Sequence, residues 1–228
     1  MRCIAIITAR GGSKRIPRKN IRDFCGKPII AYSIEAAIKS DVFSEVMVST
    51  DSVEIAEIAK KYGASVPFFR SKKTSTDFAT TREVLLEVLS EYKKLGKEFD
   101  EMVCIYPTAP FVTSEKLKNA LNLLISKHGS LVIPVVRFSY PPQRAYIVNN
   151  GKLKFKWEEY RNTRSQDLEP FYHDAGQFYC YHVKDYLDNN GIISNNILPL
   201  ELCELEVQDI DNEEDWRIAE MKYTFNWR

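Results

Sequence analysis

Cys3-Ile-Ala-Ile-Ile-Thr-Ala-Arg-Gly-Gly-Ser-Lys-Arg-Ile-Pro-Arg-Lys-Asn-Ile-Arg22 is the most informative run in the chain. Cys3 to Ile7 is continuously apolar, as expected of a strand buried on both faces of a parallel sheet. Gly11 and Gly12 end it, giving the backbone access to positive φ and its N–H groups a close approach to a ligand. Arg10, Lys14, Arg15, Arg18, Lys19 and Arg22 then crowd one loop, and helical spacing resumes only near Pro28. A merely solvated loop would leave these charges repelling one another. A strand feeding a glycine-hinged basic loop is suited to hold an anion, in particular a polyphosphate. The Walker spacing and the Gly-x-Gly-x-x-Gly dinucleotide fingerprint are both absent, so neither standard phosphate motif accounts for it.

Outward from this loop, the pattern is strand, helix, strand, helix. Residues 29–38 have helical spacing, Val46 to Val48 form a second strand, and a helix over 53–62 is closed by Gly63. A short strand is expected at Ser65-Val66, a helix from Arg82 to Leu95, a buried strand from Met102 to Tyr106, a helix from Ser114 and a strand over 130–136. Gln177 to His182 and Glu204 to Ile210 read as further strands, with a short helix over 184–189 and Asp211 capping a C-terminal helix through a box with Glu214. Such alternation predicts an α/β fold, a single domain over 1–228 with a mostly parallel, Rossmann-like sheet flanked by helices. Residues 137–172 break the pattern. They are rich in Arg, Tyr, Pro and Asn, carry a hairpin signal at Asn149-Asn150-Gly151, and are expected to form an inserted, protruding dimerisation arm.

The composition narrows the function classes. With 32 basic and 31 acidic residues the net charge is +1, which argues against general nucleic-acid or membrane binding. No apolar run approaches a membrane-spanning length, and the N-terminus enters a strand directly, so the expected location is the cytoplasm. The five cysteines include no Cys-x-x-Cys pair, and Cys3, Cys104 and Cys180 fall in apolar runs as small buried hydrophobes. A chain of 228 residues buries roughly 70% of its unfolded surface and needs no metal or disulfide to fold.

In an open parallel sheet, ligands bind beyond the carboxyl ends of the strands. The polar residues collected there are the basic loop, Asp51, Tyr106, Thr108 and the pair Asp209 and Asp211. Two carboxylates one residue apart share a side of a strand, and such hard oxygen donors suit Mg²⁺ together with substrate phosphates. The alternative is that Asp211 only caps the next helix and Asp209 is solvated. A polyphosphate loop at the same edge makes that reading the weaker one.

Ala9-Arg10-Gly11-Gly12-Ser13-Lys14 followed by Ile16-Pro17-Arg18-Lys19-Asn20-Ile21 resembles the signature of the cytidylyltransferases that activate sialic-acid-type sugars. The resemblance extends over nearly the whole chain. It implies transfer of CMP from CTP to a nonulosonic acid, a nine-carbon sugar acid, with release of pyrophosphate, in a homodimer using Mg²⁺ or Mn²⁺. It assigns Ala9, Arg10, Gly11, Gly12, Ser13, Lys19, Asn20 and Pro107 to the nucleotide, with Arg70, Thr80 and Thr81 on the cytosine side. Lys19, Arg10 and Asp211 become the catalytic candidates, and Asp209 and Asp211 the metal carboxylates. Tyr106, Thr108, Arg144, Arg164, His173 and Gln177 fall to the sugar acid, Arg144 reaching across a dimer.

Two departures bear on the sugar. Sialate enzymes have Gln where this chain has Tyr106, and Arg-Pro-Asn-Gly where it has His173-Asp174-Ala175-Gly176-Gln177-Phe178-Tyr179. Both stretches look like those of pseudaminic acid cytidylyltransferases, whose less polar substrate suits an aromatic-rich pocket of Tyr106, Phe171, Tyr172 and Phe178, although Phe178, inside a strand, reads more readily as core. N-acetylneuraminate and legionaminate remain alternative substrates. From a different class, a non-catalytic RNA-binding module would show a wider basic face, steep salt dependence and no use for Asp209 and Asp211.

Overall fold

The computed structural model describes residues 1–227. In chain order, β1 (Cys3–Thr8) leads through the basic loop to the two-residue strands β2 (Asp23–Phe24) and β3 (Lys27–Pro28), α1 (Ile29–Ser40), β4 (Glu45–Ser49) and α2 (Val53–Lys61). Then come α3 (Thr81–Lys94), β5 (Glu101–Ile105), α4 (Ser114–Ser126), β6 (Leu131–Arg137), the hairpin β7 (Tyr146–Asn149) and β8 (Lys152–Phe155), and β9 (Tyr172–Asp174). The chain ends with β10 (Phe178–His182), α5 (Val183–Asp188), β11 (Ile197–Glu201) and α6 (Glu213–Trp227). The main sheet runs β11-β6-β10-β5-β1-β4. Its neighbours pair in parallel except at β10, which is antiparallel to both β5 and β6, and at β9, which joins the sheet off this path, antiparallel to β6.

The apolar run of β1 works as its composition requires. Cys3, Ala5 and Ile7 face the layer of α1, α2 and α4, while Ile4 and Ile6 face α3 and α5, and all five are buried. Each apolar side chain withdrawn from water in this way contributes on the order of 2 kcal/mol before the entropy of ordering it is counted. Cys104 and Cys180 are buried in the same two layers. Thr80 closes α3 with a capping box, its hydroxyl accepting from Glu83 N–H while the Glu83 carboxylate accepts from Thr80 N–H. Asn150 and Gly151 both have positive φ at the β7–β8 turn, the conformation that an Asn-Gly hairpin selects.

Several expectations are corrected. Ser65 makes only an isolated bridge to Met47, because the chain turns at once toward Pro67. Glu204 to Ile210 is not a strand: Glu204–Glu206 is a 3₁₀ turn and the residues after it are unpaired. The last strand is β11, an edge strand whose Pro199 disguises it in the sequence and is tolerated at an edge. Asp211 does not cap α6. Asn212 Oδ1 accepts from Glu214 N–H at 2.8 Å and Asp215 N–H at 3.0 Å, and Asp215 Oδ2 accepts from Asp211 N–H and Asn212 N–H. Neither Gly11 nor Gly12 has positive φ; the left-handed residue of the loop is Arg18, at φ 56°. Gly11 matters for space instead, since a Cβ there would lie 3.1 Å from the Ser52 Cβ.

The 137–172 excursion leaves β6 and returns in β9, and its ends are pinned by the in-register pair Arg137 and Tyr172. Tyr140, Tyr146, Val148 and Leu153 on this excursion are exposed. Among the described residues no helix is long and apolar enough to cross a membrane.

Candidate active site

A cleft of about 580 Å³ opens beyond the carboxyl ends of β1 and β5. Residues from both ends of the chain meet in it. Arg10, Ser13, Lys14, Arg15, Lys19 and Asn20 come from the basic loop, Tyr106, Pro107 and Thr108 from the end of β5, and Asp209 and Asp211 from the approach to α6. Arg70, Asp77 and Thr81 close the remaining side.

Side chains inside and outside the loop hold its backbone. Asn20 Nδ2 donates to Arg10 O at 2.9 Å, and Gly11 N–H donates to Asp51 Oδ1 at 2.8 Å. Ile16 is fully buried in a third apolar cluster with Phe24, Phe111, Ile210 and Trp216, where Phe24 meets Trp216 edge-on at 5.5 Å. This cluster positions the acidic pair. Ile210 is 1% exposed and anchors the segment, leaving Asp209 and Asp211 on either side to face the cleft. Asp209 and Asp211 thus face the cleft from an irregular segment, not from a strand.

Lys19 is tied to the same segment. Its Nζ donates to Ile210 O at 2.6 Å and lies 3.9 Å from Asp211 Oδ1. Burial lowers the Lys19 pKa, and the nearby Asp211 and Asp209 oppose that shift. Arg15 reaches Asp211 Oδ1 at 2.8 Å, while Arg10 and Lys14 both bind the Asp77 carboxylate. Burial, and then the neighbouring Asp211, raise the Asp209 pKa. Asp209 and Asp211 share one wall of the cleft, and a divalent cation held there would favour the charged form of Asp209. No group of three or more Asp, Glu, His or Cys side chains suited to a metal exists among the described residues. The donor set fits an ion that takes one or two carboxylates and completes its shell with phosphate and water oxygens, as Mg²⁺ does.

Arg70 is fixed beneath the opposite wall, donating from Nε to Ser49 Oγ at 3.1 Å and from its second terminal nitrogen to Ser49 O at 2.7 Å. Tyr106 packs edge-on against Tyr179 with centroids 5.6 Å apart, and Tyr179 OH donates to Asp174 Oδ2 at 2.8 Å. Burial raises the pKa of both phenols. Near neutral pH they are hydrogen-bonding groups, not bases.

Other expected site residues lie outside this cleft. Ala9 is core, Gly12 is exposed loop, and Thr80 is engaged in its cap. Arg144 and Arg164 sit on the excursion, paired with Ser165 and Asp167. His173 is exposed on β9, its Nδ1 2.9 Å from Asp174 O, and stacks edge-on against Phe138. Gln177 is buried, with Nε2 donating to Glu206 O at 2.7 Å and Oε1 unpartnered. Phe178 is core, and Phe171 and Tyr172 are exposed away from the cleft, so Tyr106 is the only one of these four aromatics that lines it. Lys14 and Arg15, which the sequence offered only as members of the basic loop, also line the cleft, as does Asp77, which it did not offer at all. For Asp77 the available signal was a lone acid in a polar loop opposite six cations.

The sequence profile described as "Cytidylyltransferase" matches residues 4–192. A pseudaminic acid cytidylyltransferase of Campylobacter jejuni is 40% identical over 227 residues, 99% of this chain and 98% of that one. A CMP-N,N'-diacetyllegionaminic acid synthase of Legionella pneumophila is 34% identical, with 99% and 98% covered. Among solved structures, a CMP:2-keto-3-deoxy-manno-octonic acid synthetase complexed with CTP superposes with a TM-score of 0.73 over 99% of both chains. At 16% identity that likeness establishes the shared fold alone. The length and identity of the match to the first two, together with the profile, show that the chain belongs to the cytidylyltransferase family.

Proposed function

We propose that the protein transfers CMP from CTP to a nonulosonic acid, with pseudaminic acid as the preferred acceptor. The observation that carries this reading is the meeting of the N-terminal basic loop with Asp209 and Asp211 in one cleft, in a chain 40% identical to a pseudaminic acid cytidylyltransferase. The sugar's anomeric hydroxyl attacks the α-phosphorus of CTP. The new oxygen–phosphorus bond forms as the bond to the β-phosphate oxygen breaks, and pyrophosphate leaves.

Such a reaction depends on positioning and on charge neutralisation. Arg10, Lys14 and Arg15 offer donors to the phosphates, and Lys19, held by Ile210 O, stabilises charge as it develops. In this reading Arg70 and Thr81 meet the base while Tyr106 and Thr108 meet the acceptor; all four line the cleft. Asp209 and Asp211 would hold Mg²⁺, with Mn²⁺ as a substitute, and the ion would neutralise phosphate charge and orient the triphosphate. Arg144, Arg164 and His173 reach the acceptor only if a second copy, or a movement of the excursion, brings them to the cleft. The exposed Tyr146, Val148 and Leu153 favour a homodimer built on this arm. A reaction consuming CTP belongs in the cytoplasm, where nucleoside triphosphates are made.

The pseudaminic preference rests on Tyr106 in the cleft and on the Tyr106–Tyr179–Asp174 contacts beside it. An RNA-binding role fits poorly, because the cations line a concave cleft alongside carboxylates in a chain of net charge +1. The test is pyrophosphate release from each nucleoside triphosphate with a panel of nonulosonic acids. CTP with pseudaminic acid should give the highest kcat/KM. Equal or better efficiency with N-acetylneuraminate would refute the acceptor, and no release with any acceptor would refute the reaction.

A further inference from the structure

The cleft contains five cationic residues, Arg10, Lys14, Arg15, Lys19 and Arg70, and three carboxylates, Asp77, Asp209 and Asp211. Asp209 and Asp211 have a use in the proposed reaction, as cation ligands. Asp77 has none, yet its two oxygens take the two foremost cations of the phosphate loop. Oδ1 accepts from the Arg10 guanidinium and Oδ2 from the Lys14 ammonium. A carboxylate bridging two cations in this way offers them what a phosphate would offer: two oxygens and negative charge. The Lys14 and Arg10 contacts hold the Asp77 carboxyl below the usual carboxylate range, so it is an anion throughout the working pH range.

The segment carrying Asp77 is anchored at both ends and tied between them only by local bonds, Ser75 Oγ to Ser71 O and Ala79 N–H to Thr76 O. On one side, Ser71 Oγ and Thr74 Oγ1 donate to Glu87 Oε2 at 2.6 and 2.7 Å. On the other, Thr80 is locked in the cap of α3. Between these anchors the chain has no helix or strand, and Phe78, next to Asp77, is 93% exposed. Asp77 can leave its cations without disturbing the sheet or α3.

We propose that Asp77 is an internal competitor for the polyphosphate: its carboxylate occupies Arg10 and Lys14 until a nucleoside triphosphate displaces it, and it returns to them as pyrophosphate leaves. This rests on the cytidylyltransferase reading of the same cleft. A tethered competitor acts at high effective concentration and loses to a triphosphate because the latter brings more charge and more oxygens. After transfer, pyrophosphate holds fewer contacts than the intact nucleotide, and Asp77 competes for the donors it retains. The arrangement lowers affinity for the substrate and speeds release of a product that would otherwise be trapped among the loop cations.

The test is calorimetric titration of the full-length wild type, Asp77→Asn and Asp77→Ser with inorganic tripolyphosphate, pyrophosphate, CTP and cytidine. The pairs are partly solvated, so the expected gain on removing Asp77 is modest, on the order of three- to tenfold tighter binding of the three phosphate ligands. Cytidine binding should be unchanged, and the gain should shrink as salt is raised. Pyrophosphate should also become a stronger product inhibitor of both variants. Two substitutions of different size guard against a local packing artefact. Unchanged or weaker tripolyphosphate binding in both folded variants would overturn the proposal, as would an equal gain for cytidine. Tripolyphosphate judges the competitor alone. A wild type that binds it but neither binds CTP nor releases pyrophosphate would overturn the functional reading instead.

Discussion

Lys19→Ala tests the reaction chemistry most directly. The Lys19 side chain is 20% exposed, its Nζ lies 2.6 Å from Ile210 O, and it is tied to the segment carrying both metal-site candidates. It is therefore pre-positioned, and little reorganisation is needed as charge builds on the phosphates. Removing one such donor costs about 10²–10³ in kcat, or roughly 3–4 kcal/mol of transition-state stabilisation. The loss is bounded because Arg10, Lys14 and Arg15 still line the same cleft. Stability should change far less. The lost charged hydrogen bond is worth roughly 1.5–3 kcal/mol, and it is offset by relief from burying an ammonium, so the melting temperature should move by only a few degrees. The assay is pyrophosphate release at saturating CTP and sugar acid, beside a thermal melt. A folded Lys19→Ala enzyme with kcat within about threefold of wild type would refute the reasoning, given the 10²–10³ expected for a pre-positioned donor. The lowered Lys19 pKa adds a second readout. In the free enzyme the cation is lost at a lower pH than for an exposed lysine, so kcat/KM should fall early on the alkaline side. Lys19→Arg should remove that fall even if its overall rate is lower.

Asp211→Asn should collapse activity while leaving α6 intact, because Asn212 and Asp215 perform the capping; EDTA should abolish turnover and Mg²⁺ or Mn²⁺ restore it, and full activity of either the variant or the chelated enzyme would contradict the site. Glu101 is 7% exposed, has an unpartnered Oε2, and its pKa is pushed up to about 7, chiefly by burial. The folded state thus holds this proton more tightly than the unfolded chain, and the contribution to stability is full below the ordinary carboxylate range and lost as pH rises through about 7. The loss approaches about 3 kcal/mol, so urea midpoints should fall between pH 5 and 8 in the wild type and flatten in Glu101→Gln; parallel profiles would refute this. Multi-angle light scattering should give a dimer that Leu153→Asp weakens, and a fully active wild-type monomer would remove the arm from the interface.

The basic loop and most helices were legible in the sequence because they are local. The run Cys3 to Ile7 states its own burial, and Asn150-Gly151 states its own turn. Asp209 and Asp211 were found by spacing, but their real support is long-range. Ile210 packs with Phe24 and Trp216, and Lys222 Nζ holds Val207 O at 2.7 Å. No periodicity records such an anchor. The direction of β10 was equally hidden, because buried strands of either sense have the same composition. Asp77 escaped because its segment has no period, and its role depends on cations more than 60 residues earlier in the chain.

The sense of β10 explains how the two ends of the cleft divide their work. β1 and β5 are parallel, so the residues following each strand, from Arg10 onward and from Tyr106 onward, emerge at one edge. β10 runs against β5, pairing Phe178 with Ile105, so it is the residues at the start of β10 that reach that edge. Tyr106 N–H donates to Gln177 O at 2.8 Å, which locks the end of one strand to the beginning of the other. Tyr179 and Asp174 are thereby brought beside Tyr106. The phosphate side of the cleft is built from a loop following a parallel strand, where backbone and cations converge on an anion. On the opposite side Tyr106, Pro107 and Thr108 follow β5, and the entry to the antiparallel β10 backs Tyr106 with a second phenol and a carboxylate. The first surface suits a group common to all nucleoside triphosphates. The second, in the proposed reading, would meet the sugar acid through the neutral Tyr106 phenol.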